Sequence, residues 1–225
     1  MKRQHYKHIY ILQIVLLMSI TISCAGQDQV IVPPADFPQE YIEVTHERAE
    51  NILKEMNIDD SEKAKRVEDI IAQQYQDLSA IQDTRDAQIE AAKEKFNDEE
   101  KAEARIQEIR VLAESRTDAL HKQYVSKLSA ELTSKQVAQV KNGMTYNVAP
   151  ITYEAYLELL PDLTKEQKEV IWGYLVQARE QAIDAGSSKK KHAVFNDYKG
   201  KINNYVSDEG YNLSKAEERL RKEEN

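Results

Sequence analysis

The sequence predicts an all-α protein, a helical bundle in which a long antiparallel helical hairpin precedes a compact C-terminal helical part. Three observations support this fold class. Apolar residues recur at spacings of three and four over long stretches. Proline and glycine are scarce, at 5 and 6 of 225 residues. Helix-start patterns, in which Asp, Ser or Thr is followed by Glu or Gln, recur along the chain.

Residues 1–24 are predicted to be a signal peptide. Lys2, Arg3 and Lys7 form a positive start that contains no acidic residue, and residues 9–22 follow as an apolar run of about fourteen residues. A membrane-spanning helix needs about twenty apolar residues, so the run fits the apolar region of a cleaved signal better. An uncleaved anchor helix is the alternative.

Two cleavage sites compete at the end of this signal. Thr21-Ile22-Ser23-Cys24 resembles a lipobox in which Cys24 becomes the lipid-carrying N-terminus, although Thr21 stands where leucine is usual. Ser23-Cys24-Ala25 instead permits ordinary cleavage after Ala25. We favour the lipoprotein because Cys24 is the only cysteine and lies where an anchor would attach. The expected location is the periplasm or the outer membrane, with membrane contact only through Cys24.

Charge and cysteine content restrict the possible partners. The chain has a formal net charge of −8, and removal of the signal takes away three positive charges, which leaves about −11. A nucleic-acid partner would require a basic surface and is not expected. A single cysteine cannot form an intramolecular disulfide, so the domain must be stable without one. The oligomeric state is not predicted.

The region before the first helix is predicted to be an extended tether. Residues 25–38 include Pro33, Pro34 and Pro38, which disfavour a helix. Residues 39–225 are predicted to be a single helical domain. Its first helix is expected at residues 39–56.

The long hairpin is predicted from two successive amphipathic segments. Asp59 is the expected N-cap of the first segment, with Glu62 as its capping-box partner. An apolar face then runs from Val67 to Phe96, and a second face runs from Ile106 to Leu128. Reversal at Asn97 would give a hairpin roughly 50 Å long at 1.5 Å per residue. One uninterrupted helix through Asn97 is the alternative.

The C-terminal part is predicted to contain a loop, two helices and a final helix pair. These are a loop at 144–150, a helix at 152–160 stopped by Pro161, a helix at 164–185 ended by Gly186, and a pair around Phe195, Tyr198, Ile202 and Tyr205 that closes at Gly210. Trp172 and seven tyrosines lie between Tyr146 and Tyr211. Because the hairpin is poor in aromatic residues, any binding chemistry is expected in this part.

A Leu-Thr-x-x-Gln pattern occurs twice and predicts two capped helix starts. The copies are Leu132-Thr133-Ser134-Lys135-Gln136 and Leu163-Thr164-Lys165-Glu166-Gln167, with a looser copy at Leu213-Ser214-Lys215-Ala216-Glu217. In each, the hydroxyl would cap the helix and the residue three positions later would bond back to the cap amide. The pattern is similar to that of Spy- and CpxP-type periplasmic proteins. Generic capping explains it equally well.

No metal, cofactor or catalytic residue is predicted. Glu43-x-x-His46 and Asp118-x-x-His121 have the i, i+3 spacing of di-iron bundles. Those sites require glutamate in both motifs and two further carboxylates, and here one glutamate is replaced by aspartate. No nucleophile elbow, zinc-protease motif or phosphate loop occurs in the sequence. An enzyme is therefore not favoured, although abundant carboxylates keep a polysaccharide-active enzyme open.

A cluster of aromatic, basic and amide side chains near the C-terminus is the candidate ligand-binding site. Its residues are Trp172, Arg179, Lys189, His192, Tyr198, Lys199, Lys201, Asn203, Asn204 and Tyr205. Ser187 or Ser188 can cap a helix whose free amides favour an anion, while tyrosine and asparagine can stack on and bond to a sugar ring. The alternative is that Tyr198 and Tyr205 are core residues at helical spacing and the lysines are solvated.

Several long motifs resemble the Bacteroidetes domain-of-unknown-function family 3826. They are Val140-Lys141-Asn142-Gly143-Met144-Thr145-Tyr146, Pro150-Ile151-Thr152-Tyr153, Ala178-Arg179-Glu180, Asp184-Ala185-Gly186-Ser187-Ser188 and Tyr198-Lys199-Gly200-Lys201-Ile202-Asn203-Asn204-Tyr205, with Val67-Glu68-Asp69-Ile70-Ile71 and Tyr75 upstream. The resemblance covers nearly the whole mature chain. It implies sugar binding in a setting of polysaccharide utilisation and brings no catalytic residues.

Three functions follow as hypotheses. The first is a non-enzymatic envelope accessory protein that binds a glycan, with an acidic glycan as one candidate. The second is a periplasmic helical chaperone or envelope-stress protein, based on the capping repeats and the long acidic hairpin. The third is an uncharacterised polysaccharide-active enzyme, which would need two carboxylates in one cleft.

Overall fold

The computed structural model describes residues 32–223, which form eight α-helices and no strand. The helices are α1 (Gln39–Leu53), α2 (Ser61–Lys95), α3 (Glu99–Glu131), α4 (Ser134–Met144), α5 (Val148–Leu159), α6 (Lys165–Ala182), α7 (Ser188–Asp208) and α8 (Leu213–Glu223). The all-α class is confirmed. The predicted signal, the cleavage sites around Cys24 and the tether up to residue 31 lie outside the described residues.

Helices α2 and α3 form the predicted antiparallel hairpin. The 35 residues of α2 correspond to roughly 50 Å of helix. The chain reverses after Phe96, and Asp98 caps α3 by accepting from the Lys101 amide at 3.2 Å. At the opposite end, Arg66 donates two hydrogen bonds of 3.0 Å to the Glu131 carboxylate. The alternative of one uninterrupted helix is therefore wrong.

The start of α2 differs by one residue from the prediction. Asp60, not Asp59, is the N-cap, and its carboxylate accepts from the amides of Glu62 and Lys63 at 3.0 Å each. The sequence offers two adjacent aspartates, and the choice between them depends on the preceding turn. In that turn Asn57 adopts a left-handed conformation with φ of 49°. Helix α1 accordingly ends at Leu53 rather than at Met56.

Both copies of the Leu-Thr-x-x-Gln pattern are capping boxes, as predicted. The Thr133 hydroxyl accepts from the Gln136 amide, and the Gln136 side chain accepts from the Thr133 amide. Thr164 and Gln167 repeat this arrangement at α6. The looser third copy was wrongly assigned. The cap of α8 is Asn212, whose side chain accepts from the Lys215 amide at 3.0 Å.

Three C-terminal boundaries also differ from the prediction. The loop expected at 144–150 is only three residues long, because Tyr146 and Asn147 both take left-handed conformations and α5 begins at Val148. Pro150 therefore lies in the first turn of α5, where a missing N–H breaks no helical bond. Helix α6 ends at Ala182 rather than at residue 185, and the expected final pair around Phe195 is one 21-residue helix, α7.

Two main hydrophobic clusters hold the helices together. One joins α1, α2, α3 and α4 around Val67, Ile71 and Leu128. The other joins α5, α6 and α7 around Leu175 and Phe195, with α8 packed on its edge. The first cluster also includes Ile183, just after α6. The hairpin half of the molecule (α1–α4) therefore contacts the C-terminal half (α5–α8) at this residue. Among residues 32–223, no helix has the length and apolar character needed to cross a bilayer.

Candidate functional site

The ten residues of the predicted binding cluster have different environments. Tyr198 is buried in the C-terminal core, and its hydroxyl accepts from Gln181 Nε2 at 2.9 Å. Trp172 and Tyr205 are partly buried against the same core. Arg179 is buried within a network of ion pairs. The exposed members are Lys189, His192, Lys201, Asn203 and Asn204, with Lys199 half-buried.

Several of these side chains make contacts within and between the C-terminal helices α5, α6 and α7. Lys201 Nζ lies 4.0 Å from the ring centroid of Tyr198. The Tyr156 hydroxyl donates to Asn203 Oδ1 at 2.6 Å and so ties α5 to α7. Trp172 packs edge-to-face on Tyr153, with ring centroids 5.1 Å apart. These contacts account for part of the cluster by packing, and its role in binding stays a prediction.

A cavity lies elsewhere, where the two halves of the molecule meet. It has a volume of about 810 Å³. Helices α1 and α2 form one wall, and α4, the turn after it and the start of α7 form the other. None of the ten predicted residues lines it, but His192 borders it, because its ring stacks on Tyr146 at 5.7 Å between centroids.

Three tyrosines give this cavity an aromatic lining. Tyr41 and Tyr75 come from α1 and α2, and burial raises the pKa of Tyr75 to about 12, so its hydroxyl stays protonated at neutral pH. Tyr146 is 52% exposed and has a φ of 57°. A left-handed conformation is unfavourable for a bulky residue, so the α4–α5 turn holds this ring in place against a local preference.

Amide and hydroxyl side chains provide most of the polar lining. They are Asn51, Ser79, Gln82, Gln139, Asn142, Asn147, Ser187 and Ser188. Two of them are fixed by neighbours. Asn142 Oδ1 accepts from Arg179 at 3.0 Å, which leaves its NH₂ group available. Gln82 Nε2 donates to the Asp184 carbonyl at 3.2 Å.

The charged lining consists of Arg48, Lys191 and Glu55. Lys191 is only 6% exposed, and its ammonium donates to the Ile183 carbonyl at 3.0 Å. Burial lowers the pKa of Lys191 to about 8; Asp184 opposes this shift and Arg48 adds to it. The Arg48 guanidinium lies 5.6 Å from the ring centroid of Tyr75.

A partly buried ionic network supports the α4 wall of the cavity. Lys141 Nζ donates to Glu180 Oε2 at 2.5 Å, and Arg179 donates to Glu180 Oε1 at 3.0 and 3.2 Å. Burial alone would raise the pKa of Glu180, but Lys141 and Arg179 outweigh it and hold this pKa below its usual value. The network joins α4 to α6 beside Asn142, so the lining amide is held on a rigid base.

His121 extends this network to the hairpin. Its Nδ1 lies 2.8 Å from Asp184 Oδ2, and its Nε2 lies 3.7 Å from Glu180 Oε2. The hydrogen bond to Asp184 raises the pKa of His121. The second oxygen of Asp184 is buried and has no hydrogen-bond partner in the described part of the chain. His121 therefore pairs with a carboxylate from after α6 rather than with Asp118 of its own motif.

The other histidine motif also pairs across helices. His46 Nδ1 lies 2.7 Å from Glu68 Oε1 and 3.9 Å from Asp69 Oδ1, while Glu43 bonds to Gln39. These three ligand-type atoms lie within 4.8 Å of one another. Lys65 already places its ammonium at 3.0 and 2.8 Å from the two carboxylates. The Lys65 ammonium therefore supplies a positive charge beside these two carboxylates.

Sequence reasoning missed the cavity because half of its lining comes from α1, the turn after it and α2, outside the C-terminal part in which binding chemistry was expected. Tyr41, Arg48 and Tyr75 are spread over two helices and form no local motif. One signal was present, since a loop was expected at 144–150, and Tyr146 and Asn147 adopt left-handed conformations there. The expected Ser187 or Ser188 cap was a second signal, and Ser187 is the N-cap of α7.

The chain matches the model of one known protein family. The family model described as "Protein of unknown function (DUF3826)" matches residues 42–224, and the chain belongs to that family. Every cavity-lining residue except Tyr41 lies within the match. No curated protein matches the chain.

Proposed function

We propose that this member of the DUF3826 family is a non-enzymatic envelope accessory protein that binds a carbohydrate in the cavity between its two halves. The observation that carries the proposal is the composition of the lining. Tyrosine rings offer faces on which sugar rings stack, and side-chain amides and hydroxyls bond to sugar hydroxyls. A volume of about 810 Å³ is within the usual range of ligand sites.

The arrangement of the cavity also favours a ligand. It lies between α1–α2 and α4–α7, and its wall is supported by the ionic network around Glu180. The amides that line it are held by hydrogen bonds from Arg179 and to Asp184, so less ordering is needed when a ligand binds.

The lining favours binding over hydrolysis. Glycoside hydrolysis by the common mechanisms requires two carboxyl groups flanking the scissile bond. Among the cavity-lining residues within 32–223, Glu55 is the one carboxylate. We therefore place this protein among accessory proteins of polysaccharide utilisation rather than among glycosidases.

Titration of the mature chain with oligosaccharides tests this proposal. The panel should include plant and host polysaccharide fragments, neutral and acidic, measured by isothermal titration calorimetry. An Asn51→Ala/Gln139→Ala double variant removes two lining amides and should weaken binding about tenfold or more, as loss of two hydrogen bonds would. Binding by none of the fragments, with the protein folded, would contradict the proposal.

A matched variant distinguishes the cavity from the cluster predicted by sequence. Lys199→Ala/Asn204→Ala removes two residues of that cluster that do not line the cavity. We expect this variant to bind like the unmodified protein. If it loses binding while Asn51→Ala/Gln139→Ala keeps it, the ligand binds at the C-terminal cluster instead.

The chaperone hypothesis has one specific observation in its favour. Val111 and Leu112, adjacent residues on α3, are 53% and 48% exposed. Exposed apolar side chains on a long acidic hairpin would suit contact with an unfolded client. Suppression of client aggregation at near-stoichiometric ratio, lost in a Val111→Lys/Leu112→Lys variant, would support this second function.

A further inference from the structure

We infer that Arg48 and Lys191 together bind the acidic group of an anionic saccharide, a uronic acid or a sulfated sugar, in the cavity. This deepens the proposed carbohydrate binding and rests on it. The two cations come from different walls, Arg48 from α1 and Lys191 from the first turn of α7. A carboxylate or a sulfate ester that enters between them would meet both.

Lys191 is an unusual buried cation. Only 6% of its surface is exposed to solvent. Its ammonium donates a hydrogen bond to the main-chain carbonyl of Ile183, which carries no net charge. An ammonium has three donors, so two remain available. Buried charges are normally paired with an opposite charge. Lys191 forms no ion pair within residues 32–223.

Arg48 is likewise free of a carboxylate partner in the described chain. Its guanidinium lies over the face of the Tyr75 ring. A guanidinium in this position keeps the N–H donors at its edge available for other partners. That edge matches two oxygens of a carboxylate or a sulfate in bidentate geometry. Tyr75 is largely buried in the cavity wall, so contact with its ring anchors the exposed Arg48 side chain beside the cavity.

The charges around the cavity favour an anion against the overall charge of the chain. The protein carries a net charge of −8, yet the cavity lining has two cations and one anion, Glu55. Ser187 and Ser188 also line it, so the N-terminus of the 21-residue α7 contributes its partial positive charge to the same wall. Glu55 and the nearby Asp184 oppose these charges, and Glu55 can accept bonds from sugar hydroxyls.

Matched oligosaccharides test the inference on the mature chain. Oligogalacturonate is titrated beside its neutral methyl-esterified form, and a sulfated galactan fragment beside the unsulfated one. We expect at least tenfold tighter binding of an acidic form, weakening as salt increases. The pair that shows this preference identifies carboxylate or sulfate as the group. Equal binding of neutral and acidic forms overturns this inference alone, whereas no binding of any form overturns the proposed function too.

Variants assign the preference to the two cations. Arg48→Gln and Lys191→Met should each abolish most of the acidic preference, so that acidic and neutral forms bind within about threefold of each other. Lys189→Met and Lys190→Met are controls, because both lysines are exposed on the same turn of α7 and do not line the cavity. Loss of the preference in the controls but not in Arg48→Gln overturns the assignment. Arg48 is exposed, so its variant remains informative if Lys191→Met fails to fold.

Discussion

The ammonium of Lys191 donates a 3.0 Å hydrogen bond to the main-chain carbonyl of Ile183, which links the first turn of α7 to the end of α6. The carbonyl accepts a hydrogen bond from the buried ammonium, but it carries no negative charge to neutralise the ammonium. The depressed pKa of Lys191, about 8, records the cost of that burial. A protein can keep a buried cation despite this energetic cost where the cation serves to bind an anion.

Replacement of Lys191 by methionine should therefore stabilise the fold at neutral pH. In the unfolded chain the lysine pKa is near 10.5, and in the native state it is about 8, so the native protein resists charging this group. Removal of the charge should raise the free energy of unfolding at pH 7 by about 1–3 kcal/mol, after the lost hydrogen bond is subtracted.

The pH dependence of that gain is a second readout of the same change. Between pH 8 and 10.5 the unfolded lysine binds more protons than the native one, so the stability of the unmodified protein rises with pH. The advantage of Lys191→Met should shrink over this range. Urea unfolding at pH 7, 8, 9 and 10 measures it, and a variant that is less stable at pH 7 would contradict the prediction.

His121 should stabilise the fold at lower pH. The bond to Asp184 raises its pKa above the ordinary value of 6.5, so the pairing stabilises fully below about pH 6.5 and is lost as pH rises through the native pKa. His121→Gln should destabilise the protein more at pH 5.5 than at pH 8.5. Chemical unfolding at the two pH values checks this, and Asp184→Asn should remove most of the difference. An equal loss at both pH values would exclude the ion pair as the cause.

Gly143 and Gly173 should respond oppositely to substitution by alanine. A Cβ at Gly143 would lie 2.8 Å from Ile52 Cγ1, because α4 approaches α1 closely there. Gly143→Ala should cost about 1–3 kcal/mol by overpacking. A Cβ at Gly173 in α6 meets nothing within 4 Å. Gly173→Ala should gain about 0.5–1 kcal/mol through helix propensity.

Thermal or urea unfolding of the two glycine variants provides the comparison. Because Gly143 also lines the cavity, its variant should weaken oligosaccharide binding, whereas Gly173→Ala should not. Equal changes in stability would contradict the prediction, because they would show that the close approach of α1 and α4 leaves room for a Cβ at Gly143.

Tyr146 should matter for binding and not for stability. Its φ of 57° suits asparagine better than tyrosine, so Tyr146→Asn should leave the melting temperature unchanged or raise it. The same variant loses the exposed ring that stacks on His192 at the cavity rim. We expect oligosaccharide affinity to fall by about 1 kcal/mol or more, as for other ring contacts. Tyr146→Phe keeps the ring and should retain most of the affinity.

Local sequence signals predicted the helices well where a signal acts over a few residues. Thr133 and Thr164 begin helices because a hydroxyl and a glutamine three residues later bond reciprocally, and the structure has both capping boxes. Asp59 failed as a cap where Asp60 succeeded, since two adjacent aspartates offer the same chemistry and the turn around Asn57 decides between them. Ser214 failed because Asn212 provides an alternative cap two residues earlier.

The candidate site was predicted only in part. The cap at Ser187 and the nearby Lys189 were identified, but the buried Lys191 was not. Three adjacent lysines on a helix point in different directions, and only the tertiary structure buries Lys191, whose ammonium donates to the Ile183 carbonyl. Of the C-terminal aromatic residues predicted as ligands, Tyr198 is buried in the core and Trp172 packs partly buried against it, and their role in binding stays a prediction.

By itself, the sequence determined the all-α class, the antiparallel hairpin and most helix starts, because apolar periodicity and capping act between residues within one or two turns. The tertiary structure alone decided the cavity and its charges. Tyr41, Arg48 and Tyr75 meet Tyr146 and Lys191 only after the hairpin half docks on the C-terminal half. Contacts between residues far apart in the chain depend on how helices pack, and packing leaves no local pattern in the sequence.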